Sequence, residues 1–282
     1  MNDLGPGRRS QEAARPKRVP AARAFEPSPP PGLSLRDFHC IASQGFGDQL
    51  NAYPHAAAWF DGHLFVGTTR SNLCMLRSSK VRTNLQQWPV ECPEDLYQLD
   101  MRAQILRYAP SSGWEMVFQS PMVAGSDGDE VPRDIGYRGM TVFQGPRDKA
   151  PALYVATYAP VKAKGTHILR STDGQNFEPI PLPEEFGGFV TSVRLLVPFK
   201  GRLFTSPAGR SLGEPNSAGL PVVFESEDPE RGGWRAVSQP GFGDPENFSV
   251  FELCPFGDFL YAGTGNNRGY QVWRTDAEGD PP

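Results

Sequence analysis

Apolar and polar residues along this chain change places in short runs, and the runs recur in a fixed order. Gln104-Ile105-Leu106-Arg107-Tyr108, Trp114-Glu115-Met116-Val117-Phe118 and Leu153-Tyr154-Val155-Ala156-Thr157 are too short for helices. They carry the β-branched and aromatic residues of strands. Turn pairs such as Asp61-Gly62, Lys200-Gly201 and Gly257-Asp258 separate neighbouring runs. No helix of useful length is evident.

One stretch is stated twice. Residues 38–48 read Phe-His-Cys-Ile-Ala-Ser-Gln-Gly-Phe-Gly-Asp, and residues 234–244 read Trp-Arg-Ala-Val-Ser-Gln-Pro-Gly-Phe-Gly-Asp. The second copy lies 196 positions after the first, and the match continues ungapped from Asn51 on Asn247 to Phe65-Val66-Gly67-Thr68 on Tyr261-Ala262-Gly263-Thr264. A period this long signals a repeat architecture. Four repeats of up to four strands, a to d, account for the pattern. In the first, a covers about 54–60, b Leu64 to Thr68, c Gln104 to Tyr108 and d Trp114 to Phe118. In the second, a covers about 137–143, b Leu153 to Thr157, c His167 to Arg170, and d opens at Phe177. In the third, a covers about 192–199, b Leu203 to Thr205, c Val222 to Glu225, and d opens at Trp234. In the fourth, a covers about 249–256, b Leu260 to Thr264 and c Tyr270 to Arg274, with no fourth strand after it.

Short four-stranded repeats of this kind predict an all-β fold, a β-propeller of four blades. By the 196 offset, Phe38 to Ser43 matches the fourth strand of the third repeat. The N-terminal stretch is therefore expected to supply strand d to the last blade and to close the ring. The alternative is a larger propeller of which these four blades are a part. The domain reading is a tail over 1–35 and the propeller over 36–282.

The third-to-fourth strand turns carry a resemblance. Ser171-Thr172-Asp173-Gly174-Gln175-Asn176-Phe177 resembles the Asp-box turn of sialidase-like and BNR-repeat propellers, one residue shorter, and Ser226-Glu227-Asp228 with Trp234 is a longer variant. The resemblance implies a propeller in which Ser and Asp satisfy backbone amides of the turn. It covers the repeat pattern and implies no activity. A sialidase would also need an arginine triad, a Tyr-Glu pair and an acid. Arg138 and Arg194 match part of the triad, and Arg18-Val19-Pro20 is similar to an Arg-x-Pro element but falls in the tail.

In a propeller the d–a and b–c loops open on one face. The long segments 69–102, 120–136 and 206–220 all belong to these classes, so binding is expected on that face. Five residues before Phe60, Phe143, Phe199 and Phe256 stand His55, Arg138, Arg194 and Phe251. Two arginines and a histidine at one end of the inner strands suit an anion, because guanidinium forks match paired oxygens. Asp48, Asn51, Arg133, Asp134 and Tyr137 are the expected rim. Pairing of the arginines with acids between blades is the competing reading, and a turn role is expected for Asp48 and Asp244.

Composition narrows the rest. The chain carries a net charge of −4, which argues against nucleic acid, and no apolar run is long enough to span a membrane. The tail holds Arg8, Arg9, Arg15, Lys17, Arg18 and Arg23 and the run Pro27-Ser28-Pro29-Pro30-Pro31, so disorder is expected there. It lacks the hydrophobic centre of a secretory signal, and a cytoplasmic location with reduced cysteines is expected. Cys74 and Cys92 lie in one insertion and would pair only in an exported protein. The four histidines show no ligand spacing, Ser126-Asp127-Gly128-Asp129-Glu130 lacks a full calcium loop, and no phosphate loop or nucleophile elbow is present. No cofactor and no metal are expected.

The expected function is a non-catalytic binding module for an anionic small molecule, a glycan or a protein, with neither nucleic acid nor membrane as partner. A sialidase-like hydrolase or other propeller enzyme with its site at the same mouth is the first alternative. A fragment of a larger propeller is the second.

Overall fold

A computed structural model describes residues 32–78, 90–210, 219–220 and 222–279. The tail to residue 31, including Arg18-Val19-Pro20 and the proline run, lies outside the described residues, as does most of the 206–220 loop. The fold is all-β. The first antiparallel meander is β1 (Asn51–Phe60), β2 (His63–Arg70), β3 (Gln104–Ala109) and β4 (Gly113–Gln119). A small hairpin, β5 (Met122–Ala124) and β6 (Glu130–Pro132), follows it. The second meander is β7 (Gly136–Phe143), β8 (Ala152–Tyr158), β9 (Ile168–Ser171) and β10 (Glu178–Pro179). The third is β11 (Val190–Phe199), β12 (Arg202–Arg210), β13 (Phe224–Ser226) and β14 (Arg235–Ala236). The fourth has three strands, β15 (Asn247–Phe256), β16 (Phe259–Asn266) and β17 (Val272–Thr275). One seven-residue helix, α1 (Asn72–Ser78), opens the insertion between β2 and β3.

The predicted turn pairs act as two-residue hairpin loops. Asp61 and Gly62, and likewise Lys200 and Gly201, all have positive φ, the backbone of a type I′ turn whose twist matches the flanking strands.

Successive meanders stack through their inner strands, β1 on β7, β7 on β11 and β11 on β15. Each contact encloses an apolar layer. Phe60, Phe65 and Ile105 meet Leu153, Val155 and Leu169. Phe143, Tyr154 and Ile168 meet Val193, Leu196 and Leu203. Phe199, Phe204 and Val223 meet Val250, Leu253 and Leu260.

Two expectations are corrected. Residues 38–43 form no strand, so the fourth sheet is not completed as predicted. The division of the chain into compact units falls inside that segment, between Met1–Ile41 and Ala42–Pro282. Positive φ at Gln44, Gly45 and Phe46 then turns the backbone out of the extended state. Within the first unit Ser34 caps a short 3-10 turn over Leu35–Asp37, and Leu33, Leu35, Phe38 and Ile41 are exposed. Finally, Cys74 and Cys92 are not reduced thiols; they form a disulfide. Cys254 is an exposed thiol.

Candidate functional site

The inner strands share a defect in their pairing, and it falls at the same place in every repeat. Pro54 pairs Thr68 and Ala56 pairs Gly67, leaving His55 as an extra residue. In β7 the extra residue is Arg138, between Tyr137 on Thr157 and Gly139 on Ala156. In β11 it is Arg194, between Val193 on Pro207 and Leu195 on Ser206. In β15 it is Phe251, between Val250 on Thr264 and Glu252 on Gly263. A β-bulge of this kind re-aims one side chain out of the alternating pattern of the strand. The sequence alignment found these four positions; the bulges are what make them distinct from their neighbours. The only sequence trace of the bulges is a small residue opposite each: Gly67, Ala156, Ser206 and Gly263.

The bulged side chains are brought together in series. His55 shares a hydrogen bond with Thr69 Oγ1 at 2.9 Å through Nδ1. Arg138 donates from Nη1 to Ser192 Oγ at 3.1 Å on the next inner strand, and its guanidinium lies 4.5 Å from the ring centre of Tyr158. Arg194 lies 5.0 Å from the ring centre of Phe251. These cation–π contacts hold the guanidinium planes without neutralising their charge. Burial pushes the Arg138 guanidinium down to about 10, with the Arg194 charge adding to the effect. Burial lowers Arg194 as well, against the opposing charge of Glu252. Burial and then the two arginines hold His55 at about 4, so it is neutral at physiological pH.

Among the described residues neither Arg138 nor Arg194 forms an ion pair, and the buried Nε of Arg138 has no hydrogen-bond partner. Other arginines are treated differently. Arg70 is paired with Asp48 at 2.7 Å, Arg170 with Asp148 at 3.0 Å and Arg202 with Glu225 at 2.9 Å. Buried polar groups are ordinarily partnered, so an unpaired donor on a buried cation leaves capacity for a ligand acceptor.

The expected rim residues go elsewhere. Asp48 and Asn51 build a polar corner. Asp48 accepts from Leu50 N and Arg70, and Asn51 donates to Gly45 O and Gln104 Oε1. The second Gly-Phe-Gly-Asp stretch builds the same corner: Asp244 accepts from Glu246 N, and Asn247 donates to Gly241 O and Gln271 Oε1. Arg133, Asp134 and Tyr137 are buried. Arg133 spends its donors on the carbonyls of Lys164, Gly165 and Thr166 and lies 3.7 Å from Asp134. Burial raises Asp134 to about 6 and the Tyr137 hydroxyl well above its ordinary range. Arg133, Asp134 and Tyr137 are therefore enclosed, and Asp48 and Asn51 are committed to Arg70 and Gln104.

Two of the long segments, 69–102 and 120–136, meet through Arg70 N, which donates to Ile135 O. Ala103 N donates to Asp134 O, Ser120 N to Ala103 O and Ser126 N to Lys162 O. Asp127 is held by Lys162 at 2.6 Å and sits in the β5–β6 hairpin. The turn over 171–177 is held by its own side chains. Asp173 accepts from the backbone N–H groups of Gln175 and Asn176, which hold its carboxyl well below the usual range, and Ser171 Oγ accepts from Gly174 N. A cavity of about 370 Å³ between the third and fourth meanders is lined by Phe204, Leu253, Leu260 and Trp273 together with Arg202, Glu225 and Arg274, and by neither Arg138 nor Arg194. No described helix is long and apolar enough to cross a membrane.

Compared with known proteins, the chain matches no family model, and a search of curated proteins returns no relative.

Proposed function

We propose that this chain is a non-catalytic binding module of β-propeller type whose inner strands present an anion site at His55, Arg138 and Arg194. The observation that carries the reading is the repeated bulge. It places a cation at the same register position of β7 and of β11, neither cation forms an ion pair among the described residues, and Arg138 Nε has no hydrogen-bond partner. Two guanidinium groups side by side suit a carboxylate, phosphate or sulfate group on a small molecule, a glycan or a protein. Neutral His55 adds a hydrogen-bonding edge without more charge. Four meanders stacked through their inner strands support the propeller reading, with each meander as a blade. The test is calorimetric titration with sulfate, phosphate, sialic acid and short dicarboxylates. At least one should bind, and Arg138→Ala or Arg194→Ala should each weaken it by about tenfold or more, the effect of losing one charged hydrogen bond. Unchanged affinity for every anion in both variants would sink the reading.

A further inference from the structure

Each meander has a forward face that takes the next meander and a back face that docks on the previous one. Among the described residues, the two ends of the series are exposed at the positions that make these contacts elsewhere. On the forward face the inner strand ends in phenylalanine in all four repeats. Phe60, Phe143 and Phe199 are 8, 5 and 9 % exposed, whereas Phe256 is 76 % exposed. On the third strand Ile105, Ile168 and Val223 are buried, whereas the corresponding Val272 is 63 % exposed. The back face of the first meander shows the complementary gap. Val193 and Leu196, like Val250 and Leu253, are buried on the back faces of the third and fourth meanders, but the equivalent Pro54 and Ala57 are exposed. Leu64 is half-buried where Leu153, Leu203 and Leu260 are fully enclosed.

A forward face of this construction fits a back face of the same construction, and each copy of the chain carries one of each. We propose that Phe256 and Val272 of one copy are covered by Pro54, Ala57 and Leu64 of a second copy, and reciprocally. Both contacts continue the packing already seen three times within the chain. Because the contact runs head to tail, it leads to an open filament unless rotation closes it. Two copies supply eight meanders, within the range in which propellers close. Closure would also complete the anion site, which is the one part of the inference that rests on the function proposed above. Within one chain each bulged side chain neighbours the next, and across the new contact Phe251 of one copy would stand beside His55 of the other.

The test uses the full chain in size-exclusion chromatography with light scattering over a micromolar concentration series. The expected mass is twice the 31.0 kDa of one chain. Phe256→Asp on one face and Ala57→Asp on the other should each return the mass to one chain with an unchanged circular dichroism spectrum, because both side chains are exposed within a single copy. Cys254 lies two residues before Phe256 on the same side of β15, so its thiol should react slowly in the dimer and at least several-fold faster in either variant. A monomer at every concentration, a mass that grows beyond two chains, or a dimer untouched by both variants would overturn the proposal. Loss of anion binding in the arginine variants with the dimer intact leaves the two readings separately judged.

Discussion

His55 and His167 are both held near 4 in the folded chain against an ordinary 6.5. Burial is the first cause for each, followed by Arg138 and Arg194 for His55 and by Arg133 for His167. The unfolded chain takes up these protons near 6.5 and the folded chain near 4. Their contribution to stability is therefore complete above about 6.5 and is lost as the pH falls toward 4. Asp134 works in the opposite sense. Its folded value of about 6 lies above the ordinary 3.8, so it favours folding most below 3.8 and opposes it as the pH rises through 6. Two histidines against one carboxyl leave a net loss of stability on acidification. Thermal melting should fall between pH 6.5 and 4 in the wild type, more gently in His167→Gln, and more steeply in Asp134→Asn. Identical slopes in all three would show that these groups are not the source.

Single elements carry two devices that local sequence could describe only in part. The turn over 171–177 is local, since Ser171, Asp173 and the amides they satisfy lie within six residues. The disulfide is not local in the same sense. It joins Cys74 in α1 to Cys92 across a separation of 18 residues and ties the β2–β3 insertion to itself. Closing a loop of that size removes chain entropy from the unfolded state, about 3 kcal/mol. Reduction should lower the melting temperature by roughly 6–12 °C for a domain of this size. Thiol titration of denatured, unreduced protein should leave Cys74 and Cys92 unreacted among the four cysteines of the chain. Four titratable thiols before reduction would mean that the bridge is absent in solution.

For the whole molecule, the decisive comparison is between residues of one type at one register. Phe143 is enclosed by Leu196, Leu203 and Phe224, whereas Phe256 ends the same strand in the last meander and faces outward. Phe143→Ala should cost about 3–5 kcal/mol in urea unfolding, the range for truncating a buried phenylalanine. Phe256→Ala should cost under about 1 kcal/mol at dilutions where a single copy prevails. Equal costs would mean that the fourth forward face is covered within one chain. The same contrast bears on the ring. A closed four-membered ring would bury Phe256 and Ala57 alike, and the structure leaves both exposed.

The strand inventory was legible in the sequence because a strand and its turn are written in adjacent residues. Leu64 to Thr68, Leu153 to Thr157 and Leu260 to Thr264 alternate over a few positions, and a pair such as Asp61-Gly62 can adopt the backbone that a tight hairpin needs. The repeat offset also found His55, Arg138, Arg194 and Phe251, since equivalent positions remain equivalent whatever the packing. Only the tertiary structure decided what those positions do. The bulges arise from register between two strands, and the lack of an acid beside Arg138 depends on elements far apart in the chain. The fates of Asp48, Arg133, Asp134 and Tyr137 were set in the same way. Their polar partners, Arg70, Gly165 and Ser120 among them, are 14 to 32 residues away, and sequence spacing carries no information about which of them a fold will bring within hydrogen-bond reach.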